Sequence, residues 1–119
     1  MSDPDWGRHC GDLWRDHVLE RTGRDVSDLV GAMPRRPREF AAMMHRLGVR
    51  DLGGVVTAAM GPPIVRRQAM RGDIVRQGWA LGICRGPLAE FFGGEVSPML
   101  HVDQVWSVAP SRGSRGCAR

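Results

Sequence analysis

The sequence predicts an α+β fold in which N-terminal helices pack on a small antiparallel sheet. Apolar residues recur at helical spacing as far as Met60, and the period changes from 3.6 to 2 residues near Asp73. Glycine-rich turns then separate short segments, as expected of antiparallel strands. A chain of 119 residues forms one domain. We place it at residues 1–110, followed by a flexible Arg/Gly/Ser tail at 111–119 that is too poor in apolar residues to fold alone.

Three helices are predicted from periodicity and their end signals, with one or two weaker helical turns between Asp25 and Met33. The first helix runs from Cys10 to Thr22 and stops at Gly23. The second begins near Pro37 and ends at Gly48. The third follows the N-cap residue Asp51 and ends at Gly61-Pro62-Pro63. Four methionines, Met43, Met44, Met60 and Met70, are expected in the core.

The strands are predicted at 73–76, 79–84, 88–92 and 102–108, with 96–100 irregular. In the second strand, Trp79, Leu81 and Ile83 point to one side of the sheet. Three small residues, Ala80, Gly82 and Cys84, point to the other. Because small side chains allow close approach, we expect the first helix to pack on that small-residue side.

Composition excludes several classes of protein. No stretch is long and apolar enough for a transmembrane span. The three cysteines are far apart and indicate neither a disulfide framework nor a zinc site, and we expect no metal and no cofactor. The net charge is +4, but subtracting the tail arginines 112, 115 and 119 leaves +1. All 17 basic residues are arginine, and no basic stripe alternates with aromatic residues. We therefore do not expect nucleic-acid binding.

Cys10 is the candidate nucleophile because a thiol at a helix N-terminus lies where the helix dipole favours the thiolate. The alternative is a small structural hydrophobe. A thiolate nucleophile needs a base, and the chain has four histidines. His9 is adjacent to Cys10 and points away from it, His17 lies nearly two turns on, and His45 lies beside an apolar helix face. His101 remains the candidate base.

A set of short motifs over the first 84 residues points to a family: Trp6-Gly-Arg-His9, Cys10, Leu13-Trp14, Thr22-Gly-Arg-Asp25, Leu47-Gly48, Gly61-Pro-Pro-Ile64, Arg71-Gly-Asp73 and Ala80-Leu-Gly-Ile-Cys84. With this order of elements, the chain resembles the NlpC-type cysteine peptidases, papain-like enzymes that cut peptide stems of bacterial cell walls. It is most similar to a branch found in tail modules of phages and gene transfer agents.

The resemblance implies a Cys/His pair with a third polar residue, and this sequence departs from that pattern. The family's Asp before the cysteine is His9 here, and Asp12 follows two residues after Cys10. The family's histidine opens a strand of the form His-Val-Gly-Ile, where this chain has Ala80-Leu-Gly-Ile83. Ala80 cannot transfer a proton. The strand expected to supply the third residue offers only Glu90.

The resemblance therefore implies a tail-tip or baseplate component of a phage or gene transfer agent whose peptidase-like site is inactive. Its expected partners are a tail hub or baseplate protein, and its expected location is the virion tail after synthesis in the host cytoplasm. The alternative is an active cell-wall cysteine peptidase that uses Cys10 during DNA delivery, with cell-wall peptide as substrate.

Overall fold

The computed structural model describes residues 10–91 and 95–108, without the side chain of Cys10. Its helices are α1 (Cys10–Thr22), α2 (Ser27–Val30), α3 (Pro37–Leu47) and α4 (Leu52–Met60). Its strands are β1 (Ile74–Gln77), β2 (Ala80–Cys84), β3 (Leu88–Phe91), β4 (Val96–Pro98) and β5 (Gln104–Trp106). Single 3₁₀ turns lie at Arg66–Gln68 and Met99–His101.

The α+β class is confirmed. The predicted Trp6, His9, Phe92 and 111–119 tail, and the domain end at 110, lie outside the described residues.

The long helices begin and end where the sequence predicts because local signals fix them. The carboxylate of Asp51 accepts a hydrogen bond from the N–H of Gly54 at 2.8 Å and caps α4. Gly48 ends α3 in the left-handed conformation at φ 72°, where glycine carries no Cβ penalty. No helix within 10–91 or 95–108 is long and apolar enough to cross a membrane.

The five strands form one antiparallel sheet in the order β4-β3-β2-β1-β5. Tight turns join β1 to β2 and β2 to β3, whereas the chain crosses from one edge to the other between β4 and β5. The backbone N–H of Ile64 donates to the carbonyl of Val105, so a further residue covers the β5 edge. At the β4 edge, Pro98 lacks an N–H donor, which discourages pairing with another strand.

Each face of the sheet carries its own core. The larger core contains Trp14 and Val18 of α1 together with Leu81 and Ile83 of β2. The smaller core, on the other face, includes Val75, Cys84, Ala89, Phe91, Met99, Val102 and Val105. The prediction that α1 packs on Ala80, Gly82 and Cys84 is therefore wrong.

Phe91 explains why residue 82 on that face is glycine. A Cβ built on Gly82 would lie 2.7 Å from the ring of Phe91, so glycine makes room for an aromatic side chain of the neighbouring strand rather than for a helix.

Two strand predictions also need correction. Residues 96–98 form β4 rather than an irregular segment, and the last strand is confined to Gln104–Trp106, with Val102 packed in the smaller core.

Candidate functional site

The first turn of α1, with Cys10 as its first residue, is the candidate functional site. Two contacts show which elements lie around the N-terminal end of α3, next to this turn. Arg35 Nη1 lies 2.9 Å from Asp12 Oδ2, which joins this turn to the segment before α3. Five residues on, the ring of Phe40 in α3 meets the ring of Trp79 edge-on, with centroids 5.8 Å apart. The first turn of α1 and the β1–β2 turn therefore both contact the N-terminal end of α3.

The second half of α1 is fixed by His17, the eighth of its thirteen residues. His17 Nε2 is 2.6 Å from the carbonyl oxygen of Gly72, whose own N–H donates to the carbonyl of Cys84 at 2.8 Å. Cys84 is the last residue of β2 and Ala80 is the first. Because α1 packs along β2, its second half lies at the Cys84 end and its first turn extends toward the Ala80 end.

Charged groups surround the first turn of α1. Asp12 Oδ2 pairs with Arg35, and Asp12 Oδ1 is 3.5 Å from Arg15 Nη2. Asp12 Oδ1 is buried and accepts no hydrogen bond within the described part of the chain. On sequence grounds, Asp12 opposes a thiolate at Cys10. Arg15 and Arg35 both lie against the Asp12 carboxylate and offset its negative charge.

The structure does not bring the described histidines to this turn. His17 lies about two turns after Cys10, where its ring is held by the carbonyl of Gly72. His45 is exposed on α3. His101 is exposed in the 3₁₀ turn between β4 and β5, flanked by Met99 and Val102 of the smaller core, so the sheet separates this segment from α1. The roles of Cys10 and His101 stay predictions.

The other residues that match positions of the peptidase family make structural contacts. Ala80 packs against the smaller core, on the face away from Trp14. Glu90 lies opposite Ile83 rather than Ala80, and its carboxylate is 2.9 Å from Arg85 Nε in a surface ion pair. In the Arg71-Gly-Asp73 motif, the buried Asp73 carboxylate accepts hydrogen bonds from the N–H groups of Met70 and Val108. This motif holds the sheet to the segments around it.

A groove that the sequence did not predict opens at the Ala80 end of the sheet, with a volume of about 380 Å³. We call it the Ala80 groove, and its lining residues within the described part of the chain are Gln77, Ala80, Phe91, Glu95, Val96 and Ser97. Strand pairing places Gln77 opposite Ala80 and Ser97 opposite Ala89, so residues distant in sequence share one face. The groove could be predicted from the sequence only if residues 96–98 were recognised as a strand.

No group of three or more potential metal ligands occurs among residues 10–91 and 95–108. The model of one protein family, described as a domain of unknown function (DUF6950), matches residues 2–108. No curated protein and no solved structure shows significant similarity to the chain.

Proposed function

We propose a structural role for this chain, which belongs to the DUF6950 family. In this proposal it is a tail-tip or baseplate component of a phage or gene transfer agent. Its fold is that of an NlpC-type, papain-like peptidase whose catalytic site has lost its base. It acts as an adaptor on a tail hub protein.

The proposal rests on where the residues that could transfer a proton lie in the structure. The position of the family's histidine holds Ala80, which cannot act as a base. Each histidine of the described segments lies elsewhere: His17 bonded to Gly72, His45 on the exposed side of α3, and His101 on the crossing segment. A helix that begins at the candidate cysteine and packs on β2 also supports the resemblance.

An exposed apolar patch supports the adaptor role. We define this patch as Val65, Met70 and Leu100, which are 54%, 70% and 76% exposed. Arg66 Nη1 donates to the carbonyl of Leu100 at 2.9 Å, which holds the two 3₁₀ turns together. Because Met70 is 70% exposed, the prediction that it is a core residue is wrong. Exposed apolar side chains are typical of protein interaction surfaces where they adjoin one another, and the Arg66 contact brings the segment after Val65 to Leu100.

Purified particles test the proposal directly. We expect mass spectrometry to find the protein in intact particles, and its absence from them would refute a virion role. The double variant Met70→Ser/Leu100→Ser should fold normally but be depleted from particles. Leu29→Ser is the matched control, because Leu29 is 49% exposed on α2 and lies outside the patch. Equal incorporation of the two variants would refute docking through the patch.

An active peptidase remains the second candidate, favoured by the position of Cys10 at the start of α1 and by the two arginines that offset Asp12. The rate of Cys10 alkylation against pH separates the two proposals, with Cys10→Ser as the background control. A midpoint well below the free-thiol value of about 8.5 would indicate an activated thiolate. A midpoint at or above that value supports the structural role. Cleavage of wall peptides that is lost in Cys10→Ser would establish the enzyme.

A further inference from the structure

Residues 62–71 join α4 to β1 and lie over the smaller core; we call them the 62–71 segment. The side chains of Ile64 and Ala69 pack against that core, and the backbone N–H of Ile64 donates to the carbonyl of Val105 at the sheet edge. The other eight residues of the segment are exposed. The segment therefore has one face on the core and one face toward solvent.

The solvent face of the 62–71 segment is cationic. The segment contains three arginines and neither aspartate nor glutamate: Arg66, Arg67 and Arg71. Its formal charge is +3 in ten residues, whereas the whole chain of 119 residues carries +4. No carboxylate in the described part of the chain lies at ion-pair distance from these three side chains, whereas Arg35 pairs with Asp12 and Arg85 with Glu90.

Two of the three guanidinium groups are held in place by backbone carbonyls. Arg66 Nη1 donates to the carbonyls of Leu100 and Val102 at 2.9 Å each. Arg71 Nη1 donates to the carbonyl of Arg85 at 2.7 Å. A carbonyl oxygen is neutral, so these bonds orient the cations without neutralising them, and each guanidinium keeps further N–H donors for another acceptor.

Apolar side chains accompany these cations. Val65 and Met70 are exposed within the same segment, and the Arg66 contact brings exposed Leu100 to it. A surface of this kind is complementary to carboxylates combined with apolar side chains, and arginine binds carboxylates in a bidentate manner.

The same features disfavour other partners. The segment has no aromatic side chain on which a nucleic-acid base could stack. Its helical part is a single 3₁₀ turn, too short for a helix that lies on a membrane surface. A second copy of the chain also carries +4, so charge repulsion opposes self-association. A polypeptide partner fits best.

We propose that the 62–71 segment binds an acidic, apolar stretch of a polypeptide partner. Carboxylates of the partner pair with Arg67 and with the remaining donors of Arg66 and Arg71, while its apolar side chains cover Val65 and Met70. This inference rests on the proposed adaptor role, and it specifies the chemistry of the surface on the hub protein.

The first test is a titration of the full-length protein with a synthetic peptide that repeats Glu-Asp-Leu, followed by ¹H–¹⁵N NMR at low ionic strength. We expect saturable shifts at the amides of residues 64–71 and weaker binding as salt rises. A Gln-Asn-Leu peptide of equal length should bind at least tenfold more weakly, and a Glu-Asp-Ser peptide at least threefold. Equal binding of the three peptides, or no saturable shift at these amides, would overturn the proposal.

Variants and other ligands assign the interaction. Arg67→Gln should weaken binding of the Glu-Asp-Leu peptide at least threefold, and Arg67→Gln/Met70→Ser at least tenfold. Arg38→Gln, at an exposed position of α3, is the matched control and should leave affinity unchanged. Unchanged affinity in a double variant whose NMR spectrum shows a folded protein would contradict the proposal. Tighter binding of a DNA duplex or of phosphatidylserine vesicles at residues 64–71 would also contradict it.

The second test uses the absence of lysine from this chain. All 17 basic residues are arginine, so Arg67→Lys introduces the single lysine amine. A carbodiimide joins an amine to a carboxylate in contact with it. In intact particles, we expect Arg67→Lys to be cross-linked to an aspartate or glutamate of another polypeptide, and the control Arg38→Lys not to be.

The two tests separate this inference from the proposed function. If particles contain the Arg67→Lys protein but mass spectrometry finds no cross-link, or finds cross-links to a second copy alone, the inference is refuted and the virion role stands. If the protein is absent from particles, the virion role is refuted, and the peptide titration decides the binding chemistry by itself.

Discussion

Asp73 Oδ1 accepts a hydrogen bond at 3.0 Å from the backbone N–H of Val108, a residue 35 positions later in the chain, and both residues are buried. The second oxygen of the same carboxylate accepts from the N–H of Met70 at 2.9 Å. One side chain thus satisfies two backbone donors from different segments. It ties the residues after β5 to the start of β1, where secondary structure provides no partner for these donors.

Replacing Asp73 should therefore destabilise the fold. In Asp73→Asn, the side-chain NH₂ must face one of the two N–H donors, so one buried donor loses its acceptor. We expect the free energy of unfolding to fall by about 1–3 kcal/mol. Urea denaturation monitored by tryptophan fluorescence measures this change.

Asp28→Asn is the matched control for Asp73→Asn, because Asp28 is exposed on α2. The control should change stability by less than about 0.5 kcal/mol. Equal stability of the Asp73 variant and the control would contradict the role assigned to Asp73.

His17 should carry its proton on Nε2 when the ring is neutral. The Gly72 carbonyl, 2.6 Å away, can only accept, so Nε2 must donate. Long-range ¹H–¹⁵N NMR distinguishes the two tautomers, and a dominant Nδ1–H form would contradict this geometry. His17→Phe should lower the free energy of unfolding by about 1 kcal/mol. If His17 is structural, this variant should also leave the pH profile of Cys10 alkylation unchanged.

Helix bounds followed from the sequence because short-range signals determine them. Asp51 and Gly48 act within a few residues of their own positions, and α1, α3 and α4 have the predicted ends. The sheet was harder to predict. Strand alternation correctly grouped Ala80, Gly82 and Cys84 on one face, but it cannot say which element covers that face. Phe91 lies against Gly82, and Met99 and Val102 of the crossing segment pack in the same core; this depends on strand pairing that the sequence leaves open.

The candidate site was predictable only in part. Cys10 was recognised because its position at a helix start is a local feature, and Ala80 because a motif marks it. The Ala80 groove was missed because Gln77, Phe91 and Ser97 come from three strands and are brought together by register. The strand β4 is short and ends at Pro98, so its sequence carries almost no strand signal.

Asp25 provides a prediction about pH. The Ser27 hydroxyl donates to Asp25 Oδ1 at 2.6 Å and the Ser27 N–H at 2.9 Å, and these bonds hold the pKa of Asp25 below its ordinary 3.8. Because the folded pKa is depressed, this contribution to stability is present above the unfolded pKa and is lost as pH falls through the folded pKa.

Ser27→Ala tests that origin of the pKa shift. It removes the hydroxyl bond and keeps the backbone bond, so the pKa of Asp25 should rise part of the way toward 3.8. Carboxyl ¹³C NMR titration measures the change, with Ser97→Ala as the control. A pKa of Asp25 that is the same in Ser27→Ala as in the wild-type protein would show that the hydroxyl bond is not its cause.

Gly82→Ala should destabilise the centre of the sheet. Its Cβ would lie 2.6 Å from the carbonyl oxygen of Glu90 and 2.7 Å from the ring of Phe91, so the backbone or the ring must move. We expect a loss of about 1–3 kcal/mol in the free energy of unfolding, as for other overpacked sites.

A double-mutant cycle separates the two contacts. Phe91→Leu removes the ring contact but leaves the Glu90 carbonyl in place, so it should recover only part of the Gly82→Ala loss. Gly23→Ala is the control, because a Cβ there meets no atom within 4 Å and its cost arises from the left-handed backbone at φ 78°. Phe91→Leu should be additive with Gly23→Ala and non-additive with Gly82→Ala. Additivity in both pairs would show that the ring of Phe91 does not limit the size of residue 82.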